Sequence, residues 1–227
     1  MFKERSEGWV ESMVKVKVCG LTSAEEAEMV CDLGVDFLGV INQVDVSTPR
    51  EVDMAKAEDI IETVPKDVKS VIITMVEELE KLKIMEKKFD PDYIQLHSEP
   101  SESQLKNLKK NIETGIIGVL SISSNHNDSE QLISKAKRRA EIVDLLLLDT
   151  EGPHEGYRMT HDWDISSKIV NSLETQVILA GGLTSANVEE AVETVDPYAV
   201  DVASGVESKP GKKSLKLVKE FIERGEN

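Results

Sequence analysis

Eight short apolar runs recur at nearly even intervals along the chain: Val14–Val18, Asp36–Ile41, Val68–Ile73, Tyr93–Leu96, Gly115–Leu120, Val143–Leu148, Gln176–Ala180 and Tyr198–Val202. Each has the length of a strand and is bounded by polar or glycine-bearing segments. Between them lie stretches with apolar residues at helical spacing, among them Ser23–Leu33, Glu77–Lys88, Ser101–Asn111, Asp128–Ala140, Ser185–Val195 and Ser214–Glu223. Strands that are apolar throughout, with helices between them, belong to a parallel sheet covered on both faces. After the first twelve of 227 residues, each strand–helix unit has about 27 residues, close to the roughly 30 of a typical eightfold barrel. The pattern predicts an α/β protein, a single (β/α)8 TIM barrel over 13–227 preceded by an N-terminal extension at 1–12.

Several classes of function are disfavoured at once. No apolar run approaches the roughly 18 residues that a bilayer requires, and Met1–Glu7 has mixed charge without the apolar stretch of a secretory signal. A cytoplasmic protein with no membrane role is expected. The 43 acidic residues outnumber the 27 basic ones, and the net charge of −16 repels nucleic-acid phosphates at long range. Cys19 and Cys31 are too few for a disulfide framework and lack metal-ligand spacing, so both read as reduced thiols and no metal site is expected. Cys31 falls on the apolar stripe of its helix with Ala27, Val30 and Leu33, a core position.

Helix-start signals such as Thr22-Ser23-Ala24-Glu25-Glu26 and Thr184-Ser185-Ala186-Asn187 follow directly on strands, so the βα loops are short. Barrel enzymes assemble their sites from these loops, and the loops after strands seven and eight often hold a phosphate. Here they contain Gly181-Gly182 and Ser204-Gly205, where glycine lets backbone N–H groups approach an anion; the plainer reading is a pair of tight turns. Cys19 closes strand one, either as a small buried hydrophobe or as a reactive thiol at the barrel mouth. Asp149 follows Leu145–Leu148, where a carboxyl group either faces a nearby cation or serves as a general acid with a raised pKa.

Taken together, Val16-Lys17-Val18-Cys19-Gly20-Leu21-Thr22, Asp36-Phe37-Leu38-Gly39, Ile94-Gln95-Leu96-His97, Leu147-Leu148-Asp149-Thr150, Asp162-Trp163, Leu179-Ala180-Gly181-Gly182-Leu183 and Val200-Asp201-Val202-Ala203-Ser204-Gly205-Val206-Glu207 resemble the phosphoribosylanthranilate isomerase family. The motifs recur in the family's order over nearly the whole chain after Met13. The resemblance implies an Amadori rearrangement of a phosphoribosyl amine in tryptophan biosynthesis, with no cofactor and a small phosphorylated substrate, by a monomer or homodimer. It implies that Asp149 is the general acid, that Cys19 is the base, and that Arg50 faces the anthranilate carboxylate. It also implies that Asp201 lies beside the substrate and that Gly181, Gly182, Ser204 and Gly205 form the phosphate loops. His97 matches either a substrate contact or a residue that orders its loop.

Two segments depart from the pattern. The family's aromatic segment before a Ser-x-Arg triplet is replaced by Asn42–Arg50, which leaves the ring of the substrate without its expected aromatic cover. Its glycine-rich stretch ending in Phe-Asp-Trp is replaced by Glu155–Trp163, which retains only Gly156 and has His161 in place of the phenylalanine. These departures leave open a paralogue acting on another phosphorylated amino sugar. A non-catalytic barrel that binds a phosphorylated metabolite is a further alternative, disfavoured because a binder has no need of both Cys19 and Asp149. His126, His154 and His161 fall in loops without metal-ligand spacing and are expected to be solvated.

Overall fold

A computed structural model describes residues 13–123, 129–151 and 159–225. Eight parallel strands close into a barrel in sequence order: β1 Lys15–Cys19, β2 Phe37–Ile41, β3 Lys69–Thr74, β4 Tyr93–Leu96, β5 Gly115–Ser123, β6 Leu145–Glu151, β7 Val177–Leu179 and β8 Ala199–Val202. The helices are α1 Ala24–Cys31, α2 Met54–Glu62, α3 Leu79–Phe89, α4 Glu102–Asn111, α5 Ser129–Ala140, α6 Trp163–Val170, α7 Val188–Val195 and α8 Leu215–Gly225. The expected single (β/α)8 barrel is the architecture found. No helix among the described residues is long and apolar enough to cross a membrane.

Caps set the starts of the helices. The Ser23 side chain accepts from the Glu26 N–H at α1, and Ser101 forms a reciprocal capping box with Gln104 at α4. Helix α7 starts at Val188, later than the Ser185 expected from the sequence. There the Asn187 side chain accepts from the Thr184 N–H and forms a turn ahead of the helix. After β8 a one-turn 3₁₀ segment, Ser204–Val206, leads into a small antiparallel hairpin of β9 Glu207–Lys209 and β10 Lys212–Lys213. Pro210-Gly211 makes its turn, with Gly211 at φ +74°.

Alternation of side chains on the strands separates two cores. Val16, Val18, Leu38, Ile72, Ile94 and Leu146 face outward beneath the helices, while Phe37, Val71, Ile117, Leu145, Ile178 and Ala199 fill the barrel. Near the N-terminal end of the barrel, Phe37 contacts Tyr93 and Tyr198 with centroids 6.1 and 6.4 Å away. At this end three aspartates repeat one arrangement. Asp36, just before β2, accepts from the Val16 N–H of β1 at 2.8 Å; Asp92, before β4, accepts from the Ser70 N–H of β3 at 2.9 Å; Asp144, before β6, accepts from the Ile116 N–H of β5 at 2.7 Å. Lys15, Lys69 and Lys109 respectively pair with them.

Candidate active site

Strand β1 alternates, so Lys17 and Cys19 point into the barrel on the same face two residues apart. The Lys17 side chain is fully buried, and its Nζ lies 2.8 Å from Asp201 Oδ2 on the neighbouring β8. Burial opposes the charge on Lys17, but Asp201, Cys19 and Asp149 more than offset it, and its pKa is raised. The second Asp201 oxygen, Oδ1, is buried without a hydrogen-bond partner among the described residues. Room for Cys19 comes from Gly39 on β2, where a Cβ would stand 2.8 Å from Cys19 Cβ and 2.9 Å from Ile73 Cδ1.

Cys19, Asp149, Arg50, His97, Asp201, Gly181, Gly182, Ser204 and Gly205 all line one cavity of about 340 Å³ at the C-terminal end of the barrel. Asp149 sits inside β6, which runs on to Glu151, rather than just beyond the strand. Its Oδ1 accepts from the Thr150 N–H at 2.8 Å, and Oδ2 is 3.5 Å from His97 Nε2. His97 Nδ1 in turn lies 3.5 Å from Gln95 Nε2, an ordering contact within β4 and its loop.

Electrostatics favour the form that an acid needs at Asp149 and oppose the form that a base needs at Cys19. Burial, with the charge on Asp201, pushes the Cys19 thiol up to about 12, while Lys17 and Lys213 pull it down. The Asp149 pKa is also raised, mainly by burial and also by Asp201, against His97, the Thr150 N–H and Lys17. Cys19 is therefore held as a neutral thiol, and a cation beside it is needed for it to serve as a base.

The two glycine loops pack on each other and on β6. Gly181 and Gly182 lie at φ +88° and +69°, and a Cβ on Gly205 would stand 1.9 Å from the Leu183 carbonyl oxygen. The Arg50 guanidinium makes a bidentate pair with Glu207, Nε to Oε1 at 2.7 Å and Nη2 to Oε2 at 2.8 Å. The buried Lys213 ammonium contacts Glu207 Oε1 and the Ala203 carbonyl, both at 3.0 Å. The β9–β10 hairpin thus fixes both Arg50 and the start of the loop after β8. Among the described residues the cavity lining includes no phenylalanine, tyrosine or tryptophan; Val44, Val46, Met75 and Met159 are part of its apolar wall.

The structure corrects one expectation. His161 is 3% exposed rather than solvated, because Thr150 and Ser166 accommodate both ring nitrogens. His126, His154, Gly156 and residues 1–12 lie outside the described residues. Cys31 is half-buried against the core beneath the helices, as expected. Lys17, Gln95, Glu207 and Lys213 gained no role from the sequence. For Lys17 the signal was available: a lysine two residues before Cys19 in an otherwise apolar strand shares its inward face.

A family model described as N-(5'phosphoribosyl)anthranilate (PRA) isomerase matches residues 16–224. The N-(5'-phosphoribosyl)anthranilate isomerase of Haloarcula marismortui is 40% identical over 210 residues, covering 92% of this chain and 95% of that protein. The crystal structure of phosphoribosyl anthranilate isomerase from Thermotoga maritima superposes with a TM-score of 0.82 at 30% identity, covering 94% of this chain and 98% of that one. A structure of such an isomerase in complex with reduced 1-(o-carboxyphenylamino)-1-deoxyribulose 5-phosphate gives a TM-score of 0.78 at 28% identity, covering 94% and 98%.

Proposed function

Because the chain belongs to the N-(5'-phosphoribosyl)anthranilate isomerase family, we propose that its cavity rearranges N-(5-phosphoribosyl)anthranilate to the carboxyphenylamino deoxyribulose phosphate, with Asp149 as acid and Cys19 as base. The protein is an aldose–ketose isomerase of tryptophan biosynthesis. The observation that carries the residue assignments is convergence: a thiol and a carboxyl group from opposite sides of the barrel meet one cavity that ends in two glycine loops.

The chemistry runs in two proton transfers. Protonated Asp149 gives its proton to the ring oxygen as the C1–O bond breaks, and the nitrogen lone pair forms a cationic C1=N bond. With that cation beside it, the Cys19 thiol releases its proton to solvent and becomes the thiolate. The thiolate removes the C2 proton, the electrons of the C–H bond form C1=C2, and the nitrogen becomes neutral. Tautomerisation of this enol, with a proton lost from the C2 hydroxyl and one gained at C1, yields the ketone. Asp201, paired with Lys17, lines the same cavity, where a carboxylate favours the transient positive charge of the substrate. Arg50, oriented by Glu207, supplies a cation for the ring carboxylate, and Val44, Val46 and Met75 cover the ring with aliphatic rather than aromatic surface. A cytoplasmic monomer or homodimer that meets neither nucleic acid nor membrane is the setting that this reading implies, and no step calls for a cofactor.

Fluorescence of freshly prepared phosphoribosylanthranilate should disappear when the protein is added, with product formed in equal amount. Binding without consumption would favour a metabolite-binding barrel, and inertness towards this substrate alone would favour a paralogue with a different substituent on the amino sugar. The phosphate loops give a separate test. In Gly205→Ala the new Cβ meets the Leu183 carbonyl, a backbone atom that cannot swing aside, so the two loops must part. Affinity for inorganic phosphate should fall by at least about tenfold, roughly 1.4 kcal/mol, in a calorimetric titration. Unchanged affinity would remove these loops from the phosphate site.

A further inference from the structure

The reaction as written leaves unused a buried polar cluster behind the acid. His161 Nδ1 lies 2.8 Å from Thr150 Oγ1, the His161 backbone N–H donates to the same oxygen at 3.1 Å, and Nε2 lies 2.6 Å from Ser166 Oγ on α6. Burial pushes the His161 pKa down to about 4, against the charge of Asp162, so the ring is neutral at ordinary pH. A neutral imidazole has one donor and one acceptor, which suits a hydroxyl on either side.

Thr150 is where this cluster meets the site. It follows Asp149 directly, and its backbone N–H donates to Asp149 Oδ1. Across the barrel mouth it abuts Gly181, where a Cβ would stand 2.2 Å from Thr150 Oγ1 and 2.5 Å from its backbone nitrogen. The segment leading to His161 packs on the next glycine, since a Cβ on Gly182 would stand 2.4 Å from the Met159 carbonyl oxygen. The threonine thus touches the acid on one side and the first phosphate-loop glycine on the other, and His161 grips it from behind with both ring and backbone. His161 stands where the family pattern has phenylalanine, a side chain that fills similar space but can hold neither hydroxyl.

We propose that His161 is a positioning residue, which by holding the Thr150 hydroxyl and anchoring to Ser166 fixes Asp149 and the Gly181–Gly182 loop relative to each other. This rests on the assignment of Asp149 as acid and of the glycine loops as phosphate contacts. Small displacements suffice for a large effect, since a shift of about 1 Å at a reacting group can lower a rate by on the order of 10²-fold.

The test compares His161→Phe, His161→Asn and Ser166→Ala with the unaltered enzyme, reading kcat, KM, the dissociation constant for inorganic phosphate, and the melting temperature. His161→Phe should lower kcat by about tenfold or more and weaken phosphate binding. Asparagine, whose amide reaches roughly the place of Nδ1, should restore most of both. Ser166→Ala, which removes the anchor but leaves the Thr150 contact, should lower kcat and phosphate affinity by less than His161→Phe does. A purely structural histidine would lower the melting temperature in all three and move neither kcat nor phosphate affinity below melting; that result overturns the proposal. If His161→Phe does not fold, His161→Gln, which reaches towards Ser166 instead of Thr150, must be slower than His161→Asn, and equal rates overturn it. If the unaltered enzyme ignored phosphoribosylanthranilate, the substrate assignment would fall, and phosphate affinity alone would decide the role of His161: unchanged in His161→Phe, it overturns that role too.

Discussion

Replacing Cys19 with serine or Asp149 with asparagine is expected to lower kcat by roughly 10²–10⁴-fold or more in each case, with little change in KM. The two groups act on different protons, so neither can stand in for the other. Cys31→Ser, at a thiol half-buried beneath the helices and away from the cavity, should leave kcat nearly intact. The pH profile of kcat/KM supplies an independent check, because it reports the free enzyme. Activity requires ionised Cys19 with protonated Asp149; burial raises both pKa values, which favours the second state and opposes the first. Below the Asp149 pKa the thiolate fraction, and hence the rate, rises with pH. Between the two pKa values the gain in thiolate cancels the loss of protonated Asp149, and the profile is flat. It falls only as pH passes the Cys19 value of about 12. A Cys19→Ser enzyme with near-normal turnover would end the base assignment, and an alkaline break near the ordinary thiol pKa would show that the cavity does not hold the thiol protonated.

The second large effect is expected at Lys17. Lys17→Met keeps the length of the side chain and removes its charge, leaving the Asp201 carboxylate buried with no cation at hydrogen-bond distance among the described residues. Breaking one side of a buried pair typically costs about 3–5 kcal/mol, because the remaining charge has lost its compensation. Denaturant unfolding should show a loss of that order. Lys17→Met combined with Asp201→Asn should be less destabilised than the sum of the two single variants, as coupled partners require. Additive losses would mean that the pair does not interact as its 2.8 Å geometry indicates. Activity should drop as well: without Lys17, nothing in β1 opposes the influences that keep Cys19 protonated.

Much of this was readable from the chain, and the reasons differ by residue. The barrel was legible because most strands are apolar on both faces, so short apolar runs stand out without any partner being known. Cys19, Asp149 and the glycine loops were legible because barrel topology brings the ends of all strands together wherever they fall in sequence. Lys17 went unread although strand alternation places it below Cys19. The Glu207–Lys213 hairpin was missed behind a Pro-Gly turn that reads equally well as a loop. His161 was misread for a different reason. A histidine in a polar loop looks solvated until Thr150, from the preceding strand, and Ser166, from the following helix, close around it, and that enclosure exists only in three dimensions.

The aspartate clasps at the closed end of the barrel bear on how such a chain tolerates being cut. Each ties a strand to the one that follows it, β1 to β2, β3 to β4 and β5 to β6, with no equivalent between β2 and β3 or between β4 and β5 among the described residues. Six of the eight strands are therefore jointed in twos, while β7 and β8 have no such clasp among the described residues. In a circularly permuted chain, new ends placed between α2 and β3 or between α4 and β5 would leave every clasp within one continuous stretch. Ends placed inside a strand pair would turn a local contact into one between the first and last strands, to be made only when the whole ring closes.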